Sequence, residues 1–523
     1  MDTLSQATTY RPQTITDTLP DEIIHKICLY LDCESIKTFS ITCTRFANIV
    51  ATSSVVMKKF KLKLTKELWK SQNELLALRR RHSTIEMVDV PANWHSTLSK
   101  VFERFGPFLR TLSIYNSTLD DFTLLTILKS SPILEELFMS EVEIEQKLPA
   151  INPISIVHLT SVSIHHTNWL IFKFLSRSQI TSLLINNYLN EGEGTRGHLV
   201  SMLSYQYRLT ELILHGTSSK TLFRDSDLNG MWNNRLSKFH IACGFGKNSD
   251  VVDSNIAEFL ILNNGSLGNV EISIPNCEQI TVFVILNLQN VTSLTLDVGR
   301  LPKDNKFYQL LVDTEPNCQL KHLKLSGFFS LQAAFVKVIL SHYPAIVNLE
   351  LDDWSNTLSD ANTLQFVAEK FPHLQQLFIP AITKSSDEIK FGALKQLHVS
   401  YVRDIENLIR FVQHNGSLDT LKIGLVYIEQ IPSICKLMNT KVQHLSFAGS
   451  AKSLKMIFDL IRLNTSRSLQ TLELSLMSHE NYSRLSSILR KEIKINFSNN
   501  SPDLHVKLDA FFNDDRSCWL SGF

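Results

Sequence analysis

The sequence has no long hydrophobic run. Its most apolar stretch, "ITVFVILNL" at 280–288, has the length of a buried strand or helix segment and not of a membrane span. The first 17 residues lack the apolar core of a secretory signal. The eight cysteines (28, 33, 43, 243, 277, 318, 435 and 518) include no Cys-x-x-Cys and no zinc-ligand spacing, so they read as free thiols of a reducing compartment, cytosol or nucleus. Charge of one sign is missing too. Lys plus Arg number 52 and Asp plus Glu 51, for a net charge of +1, which gives no overall attraction to nucleic acid or an anionic membrane.

Catalytic signatures are equally scarce. There is no Gly-x-x-x-x-Gly-Lys-Ser/Thr loop, no Gly-x-Ser-x-Gly elbow and no His-Glu-x-x-His. "GEGTRG" at 192–197 lacks a nucleotide-binding context and reads as a surface loop. His165 and His166 are adjacent and so point apart, a poor metal pair; His165 reads as a solvated residue on a strand face. No metal, cofactor or catalytic residue is expected, and the chain reads as a non-enzyme.

What the sequence does have is a repeat. The phrase apolar-x-x-apolar-x-apolar-x occurs fifteen times, from "LRTLSIY" at 109 through "LKHLKLS" at 320 to "LQTLELS" at 469. The mean step is about 26 residues, within the leucine-rich-repeat range. The alternation inside the phrase is that of a half-buried strand. Between phrases lie helical patterns such as "DDFTLLTILKSSP", "QAAFVKVILSHYP", "NTLQFVAEKFP", "DIENLIRFVQHNG" and "SLKMIFDLIRLNTS", each closed by Pro, Gly or Asn. A strand and helix of this size cannot bury an apolar face alone; stacking them buries a continuous core. The expected fold is therefore α/β: a solenoid with a curved parallel sheet inside and helices outside. In length the repeats resemble the cysteine-containing and plant-type leucine-rich repeats. They lack the usual Asn or Cys after the strand, so an irregular turn is expected there.

Ahead of the repeats stands "TLPDEIIHKICLYLDCESIKTFSITCTRFANIV" at 18–50. Thr18 or Asp17 can cap a first helix, with Pro20, Asp21 and Glu22 suited to its first turn. Ile23, Ile27 and Leu31 make one apolar stripe, with Ile24 beside it. "DCES" breaks the run, and a second helix from Glu34 or Ser35 carries Ile36, Phe39 and Ile41. Two or three short helices in so few residues are too small to stand alone, so the segment reads as a docking element.

This stretch resembles an F-box: Leu-Pro-x-Glu, an Ile/Leu helix, then a helix ending in Cys-x-x-aromatic. Leu19, Pro20, Glu22, Ile23, Ile27, Leu31, Phe39, Cys43 and Phe46 fall on the family's recurring positions, whereas Thr42 and Phe46 replace its commoner Val and Trp. An F-box followed by leucine-rich repeats is itself a family architecture. The resemblance implies a substrate receptor of a Skp–cullin–F-box ubiquitin ligase. Leu19, Pro20, Ile23, Ile27, Leu31, Phe39, Cys43 and Phe46 would then meet a Skp-type adaptor, and through it a cullin–RING ligase, while the repeats hold an unknown protein substrate. The alternatives are a scaffold that binds the adaptor without delivering substrate, or a repeat-built regulator such as a GTPase-activating protein. The second would need an exposed catalytic Arg and an acidic tail, and neither signature is seen.

The resulting division is a flexible N-terminus at 1–17, the F-box at 18–50, a helical connector and N-terminal cap at 51–108, the solenoid at 109–492, and a C-terminal cap and tail at 493–523. The connector contains "VVMKKFKLKLTKELWKSQNELLALRRR" at 55–81, with nine Lys/Arg against two Glu. It reads as a solvated helix whose Leu62, Leu68, Trp69, Leu75 and Leu76 pack on the first repeat, or as a nuclear-import or nucleic-acid patch. Trp94 is expected in the cap. The third, fifth and seventh phrase residues should line the concave face, which places His322, Lys324, Glu350, Asp352, His398, Lys422, His444 and Glu473 there. The segment "FFNDDRSCWLSGF" at 511–523 is a cap or a tail.

Overall fold

A computed structural model describes residues 19–57, 59–66, 81–148, 153–187, 193–216, 223, 235–242, 253–274, 277–297, 305–326, 333–352, 361–383, 386–402, 404–425, 433, 436–437, 440–449, 456, 469–476 and 505–510. The chain forms two compact units, Met1–Leu209 and Thr210–Phe523.

The first unit begins with helices α1 (Asp21–Tyr30), α2 (Cys33–Ser40), α3 (Thr44–Thr52) and the single turn α4 (Ser54–Met57). Strands follow at β1 (Lys61–Leu64), β2 (Thr84–Val88), β3 (Thr111–Asp120), β4 (Glu136–Glu145), β5 (Ser161–His165) and β6 (Ser182–Asn187). Each is parallel to the next and paired in chain order. The second unit continues the plan with β7 (Glu211–Gly216), β8 (Lys238–Ala242), β9 (Asn269–Ser273), β10 (Ser293–Asp297), β11 (His322–Ser326) and β12 (Asn348–Asp352). After these come β13 (Gln376–Ile379), β14 (Gln396–Tyr401), β15 (Thr420–Leu425), β16 (His444–Gly449), β17 (Thr471–Leu476) and β18 (His505–Ala510). They too are parallel and paired in chain order. This is the leucine-rich-repeat solenoid fold preceded by a small all-helical module.

The phrase explains the repeat residue by residue. In the repeat at 320, Leu320, Leu323 and Leu325 are all buried, while His322, Lys324 and Ser326 alternate toward the other face. Each fully buried leucine contributes about 1.5–3 kcal/mol relative to exposure. All fifteen phrases form strands, β3 to β17. Helices cross back over the buried face at Asp121–Ser130, Ala333–Ser341, Ala361–Lys370 and Ile405–His414, where the spacing of apolar residues places them. Asp120 caps the first of these, its carboxylate accepting from the Thr123 amide at 2.6 Å. "ITVFVILNL" is the helix Gln279–Leu286; "SLKMIFDLIRLNTS" lies almost wholly outside the described residues.

Three strands exceed the fifteen. Lys61–Leu64 is a strand and not part of a connecting helix: Leu62 and Leu64 are buried and the ladder to β2 is regular. Leu68, Trp69, Leu75 and Leu76 lie outside the described residues. β2 escapes the pattern because its phrase opens on His82, a polar residue that is nevertheless buried against the Phe105 ring. β18 extends the second unit into the stretch read as cap and tail, and 511–523 lie outside the described residues. "GEGTRG" is also corrected, because a helix runs from Glu193 to Ser204 and takes both later glycines into its first turns. Trp94 closes a short 3₁₀ turn, Ala92–Trp94.

The irregular turn after the strand has a defined form. The residue following the phrase takes a left-handed backbone in the repeats of β2, β3, β4, β5 and β7: Asp89 (φ 54°), Asn116 (44°), Glu141 (55°), His166 (44°) and Gly216 (72°). Gly accepts this conformation freely, and Asn, Asp and His adopt it more readily than Glu does. At Gly424 the constraint is space, since a Cβ there would lie 2.2 Å from the Ser400 carbonyl oxygen.

Buried polar side chains lock the turns that lead into the strands. The Asn415 amide oxygen accepts from the Phe391 amide at 2.7 Å, and its nitrogen donates to the Phe411 and Ile389 carbonyls at 2.8 and 3.0 Å. Asn317 donates to the Leu288 carbonyl at 2.7 Å, and Gln206 accepts from the Ile180 amide at 3.0 Å. Each answers backbone groups of the preceding repeat that have no water to turn to. Asn415→Ala is expected to orphan two such groups, the Phe391 amide and the Ile389 carbonyl, and cost about 1–3 kcal/mol, read as a lower midpoint of chemical unfolding.

Candidate functional site

Two surfaces stand out, one on each unit. The first is the helical module. Its core is Ile24, Cys28, Ile36, Phe46, Ile49, Val50, Val56, Met57 and Phe60, with Leu19, Leu31, Phe39 and Cys43 packed against it. Ile24, Cys28 and Leu31 are therefore the inward stripe of α1. Ile23 and Ile27, expected on one stripe with Leu31, turn outward and are 40% and 38% exposed. Tyr30, seven residues from Ile23 on the same stripe, is 90% exposed, and Pro20 is exposed beside it. α1 is thus apolar across two adjacent stripes, and the fold covers only one.

The adaptor-contact expectation divides accordingly. Pro20, Ile23 and Ile27 are on the open face. Leu19, Leu31, Phe39 and Cys43 are half-buried at the core's margin. Phe46 is corrected: it stacks on Phe39 with ring centroids 4.1 Å apart and belongs to the core. Cys43 is also a cap, its Sγ accepting from the Phe46 amide at 3.5 Å. Tyr30, Leu29 and Ile41 are exposed apolar residues that the pattern did not single out. Tyr30 was legible as the next member of the Ile23–Ile27 stripe.

Charged groups hold the module together. Arg45 donates to the Asp21 carboxylate at 2.5 Å and to the Leu19 carbonyl at 2.6 Å, tying α3 to the start of α1. Asp32 caps α2 by accepting from the Ser35 amide at 2.7 Å, and these hydrogen bonds lower its pKa. Lys59 donates to the Leu29 and Leu31 carbonyls at 2.6 and 2.7 Å and the Cys28 carbonyl at 3.3 Å, closing the C-terminus of α1. Two further described basic residues of the segment are also employed locally: Lys63 pairs with Glu86 at 3.0 Å, and Arg81 lies over the Phe108 ring. Burial pushes the Cys28 thiol above its ordinary pKa despite the nearby Lys59 charge.

The second surface is the helix-free face of the second unit. A hollow of about 420 Å³ crosses β10–β15 there. In-register pairing makes one row of the fifth phrase residues: Thr295, Lys324, Glu350, Phe378, His398 and Lys422. Lys324 and Glu350 form an ion pair at 2.7 Å. Burial opposes the Lys324 charge, but Glu350, with Asp352 and Glu271 near, outweighs it and holds the ammonium above its usual pKa. Phe378 and His398 meet edge to face, 4.2 Å between centroids. Burial, then the Lys422 and Lys324 charges, push the His398 imidazole down to about 4, so it is neutral at neutral pH.

Of the expected substrate-face residues, His322, Lys324, Glu350, His398 and Lys422 line this hollow. Asp352 is on the same face but outside its lining. His444 and Glu473 lie further along on β16 and β17, His444 bonded to the Thr471 hydroxyl at 3.0 Å. Phe378 was missed; an apolar residue at the fifth phrase position, where most repeats are polar, was its signal. On the first unit the same face carries Tyr115, Phe138 and His165, with Phe138 4.9 Å from the His165 ring and His165 bonded to Ser163 at 2.9 Å. His165 is thus half-buried in an aromatic row. Among the described residues no cluster of His, Cys, Asp or Glu could hold a metal, and no helix is long and apolar enough to cross a membrane. Cys28, Cys33, Cys43, Cys277 and Cys318 are free thiols.

A helical module with an uncovered apolar face, followed by stacked strand–helix repeats, defines a protein built for binding. Comparison with known proteins is specific for the module alone: residues 17–57 match the F-box domain family. No curated protein matches the chain. Among solved structures an internalin from Listeria monocytogenes is similar over 80% of this chain and 93% of its own, at 13% identity and a TM-score of 0.26. At that score the likeness adds nothing to the strand order and register described above.

Two outcomes test these surfaces. Lys59→Met is expected to expose the last carbonyls of α1, costing the module about 1–2 kcal/mol and accelerating amide exchange in α1 but not in β10–β15. His398 is expected to titrate near 4 by NMR and to rise in Lys422→Gln. Because its folded value lies below the unfolded value of about 6.5, its contribution to stability is whole above that pH and is lost as the pH falls toward 4.

Proposed function

We propose that this chain is the substrate-recognition subunit of a Skp–cullin–F-box ubiquitin ligase, its F-box docking on a Skp-type adaptor and its repeats holding a protein substrate. The observation that carries this reading is the outward stripe Pro20–Ile23–Ile27–Tyr30 on a module whose core is already complete without it. Exposed apolar residues clustered on one small face mark an interaction surface. The F-box match over residues 17–57 supports an adaptor of the Skp type as its partner.

In this role the chain breaks and makes no bond. The adaptor and cullin bring a ubiquitin-conjugating enzyme, the sheet face holds the substrate, and their linkage raises the effective concentration of substrate lysines at an active site on another subunit. The reading places the protein in cytoplasm or nucleus, where such complexes and free thiols coexist.

The test is affinity purification of the intact chain beside the double variant Ile23→Asp, Ile27→Asp, read by mass spectrometry and by ubiquitination in a reconstituted cullin complex. Both side chains are exposed, so the module should fold while adaptor and cullin capture drop at least tenfold. Full capture by the variant would refute docking through this face. Adaptor capture without any ubiquitination of proteins retained on the repeats would favour a scaffold instead.

A further inference from the structure

The hollow across β10–β15 has features that restrict its occupant, and the inference below rests on the substrate-receptor reading. Lys422 is exposed and has no ionic or hydrogen-bonding partner among the described residues. Its in-register neighbours are His398 on β14 and Ser446 on β16, and neither is anionic. The other lysine of the row, Lys324, is already neutralised by Glu350. The hollow therefore offers one uncompensated positive charge, at the β15 end. A single ammonium suits one carboxylate; it is too little for the repeating charge of a nucleic-acid backbone.

Next to Lys422 stand the imidazole of His398 and the ring of Phe378, packed edge to face. The imidazole is uncharged at neutral pH. Together they form an apolar platform that begins at His398, one strand from the lysine, and ends at Phe378, two strands from it. Gln376 and Gln396 are exposed beside this platform, in register with each other, and their side-chain amides have no hydrogen-bond partner among the described residues. A free amide pair of this kind can donate to and accept from the main chain of a peptide lying across the strands.

The spacing then selects the peptide's conformation. Neighbouring strands lie about 4.8 Å apart, so Phe378 and Lys422, two strands apart, are separated by about 10 Å. Along a β-strand the side chains on one face recur about every 6.8 Å, which fits neither one such step nor two. Along a polyproline II helix every third residue returns to the same face after about 9.3 Å. That matches.

We propose that the hollow binds a peptide segment in the polyproline II conformation running across β13–β15. An apolar or aromatic side chain of the segment packs on the Phe378 ring, and an Asp or Glu three positions away pairs with Lys422. The segment's extended backbone is met by Gln376 and Gln396. Such a segment keeps its main chain solvated and loses little conformational freedom on binding.

The experiment is fluorescence anisotropy with the full chain and labelled ten-residue peptides in which Phe and Asp are separated by one to four residues, with Ala or Pro between them. Binding should peak at two intervening residues, hold or tighten when both are Pro, and fall about tenfold when Asp becomes Asn. Phe378→Ala should weaken all peptides alike. Lys422→Glu should reverse the preference, so that Phe-x-x-Lys is bound over Phe-x-x-Asp, a gain that a misfolded variant could not show. Binding indifferent to spacing or charge, an unreversed preference in Lys422→Glu, or no peptide binding would each overturn the proposal. Capture of a labelled single-stranded oligonucleotide through Lys422 would do so as well. Adaptor capture measured on the same samples depends on Ile23 and Ile27 and not on Lys422, so failure of the groove and failure of the receptor reading are told apart.

Discussion

Everything in the repeats depends on one constraint: a lone parallel strand cannot satisfy its own backbone or bury its own side chains. In each unit every strand borrows its hydrogen bonds from the next in the chain, and its first, fourth and sixth phrase residues form a core only when the neighbouring repeat supplies the other half. The buried Asn415, Asn317 and Gln206 extend the same logic to the turns. They bond backbone groups of the preceding repeat, which would otherwise be stranded in apolar surroundings. Stability is therefore distributed along the stack, and each repeat is held by its two neighbours.

That constraint also creates the candidate binding surface. Because register is kept strand after strand, equivalent residues of successive repeats line up in rows, and chemistry scattered over a hundred residues of sequence becomes contiguous. Lys324, Glu350, Phe378, His398 and Lys422 are about one repeat apart in the chain yet are cross-strand neighbours. Once Lys324 and Glu350 have paired and Phe378 has met His398, the lysine at the β15 end of the hollow is left over. The helical module shows the opposite case. It is too small to spread its apolar residues inward on all sides, so its core closes on Ile24, Cys28 and Phe46 and leaves Ile23, Ile27 and Tyr30 outside. What is surplus to folding in both places is available for partners.

The phrase pattern made the repeats legible because burial and strand alternation act within seven residues, and all fifteen phrases are strands. β2 was hidden since its first core position is His82, whose burial depends on Phe105 from another element. β1 was hidden in a basic segment whose Lys59 and Lys63 looked like solvent-facing charge. One closes a helix that ends 29 residues earlier, and the other pairs across a strand. On the module, periodicity showed that α1 is apolar on more than one stripe; it did not show which stripe the neighbouring helices would cover.

By itself the sequence determined the strand–helix repeat, the face of each strand that is buried, and the residues carried on the opposite face, because these follow from local spacing. Only the tertiary structure decided that Ile24 and not Ile23 is core, that Phe46 is buried, and that Lys324 is spent on Glu350 while Lys422 has no partner among the described residues. Those outcomes rest on which groups meet across tens of residues, and a charge or a ring acquires its meaning from the neighbour that the fold places against it.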